Sequence, residues 1–292
     1  MVWLNGQMLP ANEACLPLDD AALTSAAVVS ERLRTFHHQP FLLEVHLRRL
    51  RASARAAMIP MPWSIDELRE RTAEVIAANA RNVVDNDDMG VSLWVSAGRG
   101  GVPSLGISAV PIPARQYLAG YDPGVRVAVP PTRAMEPLCL SPGIKTRNRL
   151  HWYIADRQAA EQDPGAVALL LDREGFVTET SAANLFAVIG GKVVTPGRSR
   201  PLSGISQQFV LDLAGGMGLP IAEADLLLDD VTAASELFAS SSISCLQPVT
   251  YVNGQAIADG RPGPVYERLM AAWSRRVDLD IVSQMRRMAT DS

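Results

Sequence analysis

Of the 27 lysines and arginines in this chain, only Lys145 and Lys192 are lysine. Arginine stays protonated in proteins and is a poor amine nucleophile. A lysine that is desolvated or set among other cations can lose its proton and attack a carbonyl, forming a Schiff base. Lys145 stands in Gly143-Ile144-Lys145-Thr146-Arg147-Asn148-Arg149-Leu150, where Arg147 and Arg149 would push its pKa down. Lys192 follows Gly190-Gly191, a hairpin-turn signal, and reads as a surface residue.

Three further features have a stated chemistry. Gly204-Ile205-Ser206 opens a helix, and the free N–H groups of a helix N-terminus bind phosphate, although a plain helix start gives the same pattern. Ser240-Ser241-Ser242 ends a strand and offers hydroxyl donors. Glu179 ends another strand in Thr178-Glu179-Thr180-Ser181-Ala182-Ala183-Asn184, where small neighbours let another group come close. A reactive lysine, a phosphate cradle and one carboxylate are the protein's side of a pyridoxal phosphate site. The lysine holds the aldehyde, the cradle the phosphate, and the carboxylate keeps the pyridine nitrogen protonated so that the ring is an electron sink.

The elements that must position these groups are legible in part. Trp3 to Met8 reads as a hairpin with Asn5-Gly6 at its turn, and Val28 to Phe36 as a strand. The turn at His37-His38-Gln39-Pro40 leads to an arginine-rich helix over about Glu44 to Met58, whose Arg48, Arg51 and Arg55 form a solvated face. Ser64-Ile65-Asp66-Glu67 is a capping box for a helix to about Asn79. Strands at Val91 to Ala97 and Gly106 to Val110 flank a glycine-rich turn. The prolines and glycines between Pro111 and Gly124 predict a linker. The domains then cover residues 1–113 and 125–292, with 114–124 between them. Beyond lie a strand at Val125 to Val129, a helix from about Arg149 to Gln162, a meander of strands from Val167 to Thr195, and a strand at Leu237 to Ser242. A last helix runs from about Pro264 to Arg276, and a loose tail follows Asp280.

Composition bounds the alternatives. Hydrophobic residues make up 48% and charged residues 20%, as in soluble globular proteins. The net charge of −4 supplies no global basic field for nucleic acid. No apolar run approaches the ~20 residues that a membrane span needs, and the N-terminus shows no signal-peptide pattern. Three scattered cysteines fit a reducing cytoplasm, and four histidines show no metal-ligand spacing.

Several separated motifs, in order, resemble the fold-type IV (class IV) pyridoxal-phosphate enzymes: branched-chain aminotransferase, D-amino-acid aminotransferase and aminodeoxychorismate lyase. Phe41-Leu42-Leu43-Glu44-Val45-His46-Leu47-Arg48-Arg49-Leu50 is similar to the family's F-x-L-x-x-H-x-x-R-L helix, which implies that Arg49 contacts the cofactor phosphate. Ile144-Lys145-Thr146-Arg147-Asn148 resembles the catalytic-lysine motif. Gly175 to Phe186 resembles the most specific motif and implies Glu179 as the pyridine partner. Leu202-Ser203-Gly204-Ile205-Ser206 resembles L-x-G-I-T, implying Leu202 against the ring, Gly204 at the helix start, and Ile205 and Ser206 at the phosphate. Ser241 and Ser242 fall where the family has a small residue and a phosphate-binding threonine. The implied fold is a two-domain α/β (α+β) enzyme, with a smaller N-terminal α/β domain and a larger C-terminal domain built on a barrel-like sheet. The implied assembly is a homodimer, with the active site between the domains and near the partner.

The chain also departs from the family. Ser25-Ala26-Ala27-Val28-Val29-Ser30-Glu31 replaces the aromatic Y-G-D-G-V-F-E segment, and Ala97 stands where the D-amino-acid enzymes carry a carboxylate-binding arginine. These losses point away from a standard branched-chain or D-alanine substrate and leave Arg99, Arg147 and Arg149 as candidate carboxylate anchors. The expected activity is amino-group transfer between an amino acid and a 2-oxo acid through a Schiff base on Lys145, which also shuttles the proton. The alternative is aminodeoxychorismate lyase, in which the same lysine drives release of pyruvate. A degenerate cofactor-binding homologue is the third reading.

Overall fold

The computed structural model describes residues 1–84, 87–197 and 199–291. The chain divides into two compact units, one of Met1–Ile112 with Ile144–Arg149 and one of Pro113–Gly143 with Leu150–Ser292.

The first unit contains β1 (Val2–Leu4), β2 (Gln7–Leu9), α1 (Ala21–Thr24), β3 (Val28–Phe36), β4 (Gln39–Pro40), α2 (Leu43–Ala56), α3 (Ile65–Asn79), β5 (Met89–Arg99) and β6 (Val102–Pro111). Its sheet has the order β2-β1-β6-β5-β3-β4. Asn5 and Gly6 both take positive φ, as the two-residue turn between β1 and β2 requires. Ser64 accepts a hydrogen bond from Glu67 N at 3.0 Å, so the capping reading of α3 is realised. Leu47 and Leu50 of α2 and Leu68 and Val75 of α3 are buried in one cluster with Leu33 of β3 and Leu93 of β5. Strands β5 and β6 are longer than their hydrophobic cores suggested, because their hairpin extends the pairing out to Arg99 and Val102.

The second unit holds α4 (Ala114–Leu118), β7 (Val125–Ala128), α5 (Leu150–Gln162), β8 (Val167–Leu171), β9 (Val177–Thr180), β10 (Asn184–Ile189) and β11 (Lys192–Pro196). It continues with α6 (Ile205–Gly216), β12 (Ile221–Ala224), α7 (Leu228–Thr232), β13 (Glu236–Ser241), β14 (Cys245–Val252), β15 (Gln255–Ala256), α8 (Pro264–Arg276) and α9 (Ile281–Asp291). Strands β10, β13, β14, β7, β8 and β9 pair in sequence, and β9 pairs back to β10 through Glu179 and Asn184. The sheet therefore closes into a six-stranded barrel, the barrel-like sheet expected from the sequence. Closure removes most free edges and encloses a core that includes Val127, Leu169, Val177, Leu185, Leu237 and Val249. Helix α5 packs Trp152, Ala155 and Ala159 on Ala168 and Leu170 of β8, the small residues allowing close approach.

Two expectations need revision. The stretch 114–124 carries helix α4 and a tight turn, and Tyr121 is buried with its hydroxyl donating to Ser244 O at 2.7 Å. Its prolines mark turns within a packed unit. The tail after Asp280 is helix α9, with Ile281, Met285 and Met288 buried at the four- and three-residue spacing of one helical face. No helix among the described residues is long and apolar enough to cross a membrane.

Candidate active site

Lys145 belongs to the first unit because its backbone is stitched to β3. Ser30 N donates to Lys145 O and Arg147 N donates to Val28 O, both at 2.9 Å, with Val29 and Thr146 opposite one another. Lys145 N also donates to Ser53 Oγ of α2 at 3.1 Å. The lysine backbone is thus held by a strand and a helix, and its side chain is half-buried.

Helix α2 presents His46 and Arg49, three residues apart, on the face that meets β3. Both reach Glu31, whose side chain is buried. Arg49 Nε donates to Glu31 Oε1 at 2.6 Å and Arg49 Nη2 to Oε2 at 2.8 Å, while His46 Nδ1 lies 2.7 Å from Oε2. Burial alone would raise the Glu31 pKa. The hydrogen bonds from Arg49 and then His46, with the Arg49 charge, outweigh it and hold the carboxyl at about 2. Burial pushes the His46 pKa down despite Glu31, and the charges of Arg49 and Lys145 act in the same direction. His46 is therefore a neutral donor to an ionised carboxylate. The bidentate pair fixes Arg49, the expected phosphate ligand, from behind.

In the second unit the expected residues form a connected set. Glu179 Oε1 accepts from Leu202 N at 3.2 Å, and Asn184 Nδ2 donates to Leu202 O at 2.8 Å and to Glu179 Oε2 at 3.4 Å. Gly204 caps α6 in an extended conformation. A Cβ there would sit 2.0 Å from Asn184 Oδ1, so only glycine lets the helix start pass this close to β10. The first helical residues, Ile205 and Ser206, are buried, and Ser206 Oγ donates to Ser242 Oγ at 3.4 Å. Ser241 Oγ is engaged with Ser244 Oγ at 2.8 Å. Ser240 lies directly across the sheet from Asn184, and its buried hydroxyl has no hydrogen-bond partner among the described residues.

The remaining expectations separate. Arg99 is exposed and forms an ion pair with Asp19 at 2.7 Å. Arg147 and Arg149 are exposed. Lys192 is exposed beyond the positive-φ turn Gly190-Gly191. The sequence reading assigned no role to Glu31 or His46. The signal was present: a carboxylate and an imidazole placed where a strand and a helix otherwise bury apolar side chains. Asn184, within the same motif as Glu179, is the buried amide that joins Glu179 to the Leu202 segment, a role its local sequence does not reveal.

The pattern that defines the amino-transferase class IV family matches residues 28–252. The chain belongs to this family. It is 29% identical over 279 residues to a D-alanine aminotransferase of Listeria monocytogenes, covering 92% of this chain and 93% of that protein. It is 28% identical over 283 residues to the branched-chain-amino-acid aminotransferase of Salmonella typhimurium, covering 93% of this chain and 91% of that protein. The structure of the Escherichia coli branched-chain amino acid aminotransferase superposes with a TM-score of 0.86 at 26% identity, covering 93% of this chain and 92% of that one. This class IV aminotransferase has the mixed α/β architecture of these enzymes.

Proposed function

We propose that the enzyme works with pyridoxal phosphate carried on Lys145 and transfers an amino group between an amino acid and a 2-oxo acid. The observation that carries this reading is the set of groups gathered at the start of α6. A carboxylate at Glu179 is held by a backbone N–H and by Asn184, and two hydroxyls, Ser206 and Ser242, meet at a helix N-terminus. That set fits a pyridine nitrogen and a phosphate. Glycine at position 204 leaves the close approach clear, and the buried Ser240 hydroxyl has no hydrogen-bond partner among the described residues, leaving it open to a ligand.

When bound, the cofactor supplies an electron sink for the pair left at the substrate Cα. The chain's own residues do the rest. The Lys145 amine would hold the aldehyde and, when free, would take the substrate Cα proton and return it as general base and acid. Glu179, held by Leu202 N and Asn184, would keep a proton on the pyridine nitrogen. Leu202 would pack against the ring. Arg49, Ile205, Ser206 and Ser242 would bind the phosphate, with Gly204 and Ser241 shaping the cradle. Arg147 and Arg149, two and four residues beyond Lys145, are proposed as anchors for the substrate carboxylate, whereas Asp19 already engages Arg99. Leu150, Tyr153 and Ile154 are exposed on one face of α5, which supports a homodimer.

The test is the visible spectrum of the purified protein, reconstituted with pyridoxal phosphate, during titration with L- and D-amino acids and no acceptor. Conversion to the pyridoxamine form by a donor is expected, with no such conversion in Lys145→Ala. A chromophore that no donor changes would sink the transaminase reading, as would turnover that needs no 2-oxo acid. Failure to bind the cofactor at all would sink the site.

A further inference from the structure

Between β11 and α6 the chain must deliver Leu202 to Glu179 and the helix start to the serines. A loop of this kind wanders unless something fixes its middle. Arg200 stands there, two residues before Leu202, with a side chain only 17% exposed. Its Nε donates to Asp225 Oδ1 at 2.8 Å, just past the end of β12. Its Nη1 pairs with Asp172 and, at 3.4 Å, with Glu174, both in the turn between β8 and β9. The guanidinium carbon lies 4.3 Å from the centre of the Phe176 ring, at the entry to β9. Arg200 N donates to Gly197 O at 3.0 Å, and Gly197 N donates to Ala224 O at 3.2 Å. One planar fork therefore joins the loop to the end of β12 and to the turn that feeds the strand bearing Glu179. Pro201, buried and fixed in φ, links that anchor rigidly to Leu202.

We propose that Arg200 is a positioning residue that sets the Leu202–Ser206 segment against Glu179, so that the grip on a phosphate-bearing pyridine depends on it. This inference rests on the pyridoxal phosphate reading of the site. It does not follow from a motif, since Arg200 precedes the L-x-G-I-T-like run. Lysine cannot replace it: an ammonium is a point charge and cannot hold Asp172 and Asp225 in two directions while stacking on Phe176.

The experiment compares binding of pyridoxal phosphate with binding of pyridoxal, which lacks the phosphate, in the wild type, Arg200→Ala, Arg200→Lys and Asp225→Asn. Dissociation constants come from absorbance and fluorescence titration, and melting curves check folding. Losing one hydrogen bond to a charged group such as a phosphate costs roughly ten- to a hundredfold in affinity. Arg200→Ala is expected to weaken pyridoxal phosphate by roughly ten- to a hundredfold and pyridoxal far less, with Arg200→Lys close behind and Asp225→Asn intermediate. The proposal is overturned if a folded Arg200→Ala or Arg200→Lys binds pyridoxal phosphate like the wild type. It is equally overturned if both ligands weaken by the same factor, which is what general loosening would give. If Arg200→Ala does not fold, the lysine variant decides on the same two criteria. A wild type that binds neither ligand would instead remove the cofactor reading itself.

Discussion

Replacing Glu31 by glutamine removes one negative charge from the centre of the first unit and leaves its shape. The charge matters because Glu31 is buried and receives two hydrogen bonds from Arg49 and one from His46. Its carboxyl is held at about 2 against a reference of 4.5. That difference corresponds to about 3 kcal/mol of preference for the ionised form in the fold. Losing one partner of a buried pair costs a comparable 3–5 kcal/mol or so, because the other charge is left uncompensated. Glu31→Gln should therefore lose about 3 kcal/mol in urea or thermal unfolding at pH 7. The pH dependence gives the sign. A depressed carboxyl pKa contributes fully above the unfolded value and is lost between about 4.5 and about 2. The gap between wild type and variant should stay constant down to about pH 5 and close as the pH falls towards 2. A gap below about 1 kcal/mol at pH 7, the range of an exposed pair, would refute the argument. So would a gap that does not narrow in acid.

His46 is held neutral by burial, so the unfolded chain takes up a proton that the fold refuses as pH drops below the reference 6.5. Stability should begin to fall there, before Glu31 titrates, and His46→Gln should remove that first phase from the pH–stability profile. Gly204→Ala forces a Cβ onto Asn184 Oδ1, and roughly 1–3 kcal/mol of destabilisation is expected in a urea melt, with weakened cofactor binding; unchanged stability would remove the close-approach argument. Glu236 accepts from Val265 N and Tyr266 N at the start of α8, so Glu236→Gln should cost about 0.5–2 kcal/mol by the same assay. Stopping the chain at Asp280 deletes the buried Ile281, Met285 and Met288 and the carbonyl of Ala289 that accepts from Arg115 Nε. Lower soluble yield and a lower melting temperature are expected; a truncated chain as stable as the full one would show that α9 is dispensable.

The sequence by itself determined the chemistry-bearing types and most elements. A lysine set between arginines, a carboxylate ending a strand in small residues and a glycine opening a helix are local facts, and their order along the chain was enough to read a family. Helix caps and two-residue turns were legible for the same reason: Ser64 and Asn5-Gly6 act on backbone groups within a few residues of themselves. What only the tertiary structure decided is which polar side chains face one another across long stretches of chain. Glu31 meets Arg49 eighteen residues on, Arg200 meets Asp172 and Asp225, and Asn184 meets Leu202. The proline-rich stretch became part of a packed unit because the buried Tyr121 and its bond to Ser244 tie it down. The supposed tail became a helix because its methionines found a surface to cover. Periodicity states which face a segment could bury, but only the packed chain supplies the partner that makes burial favourable.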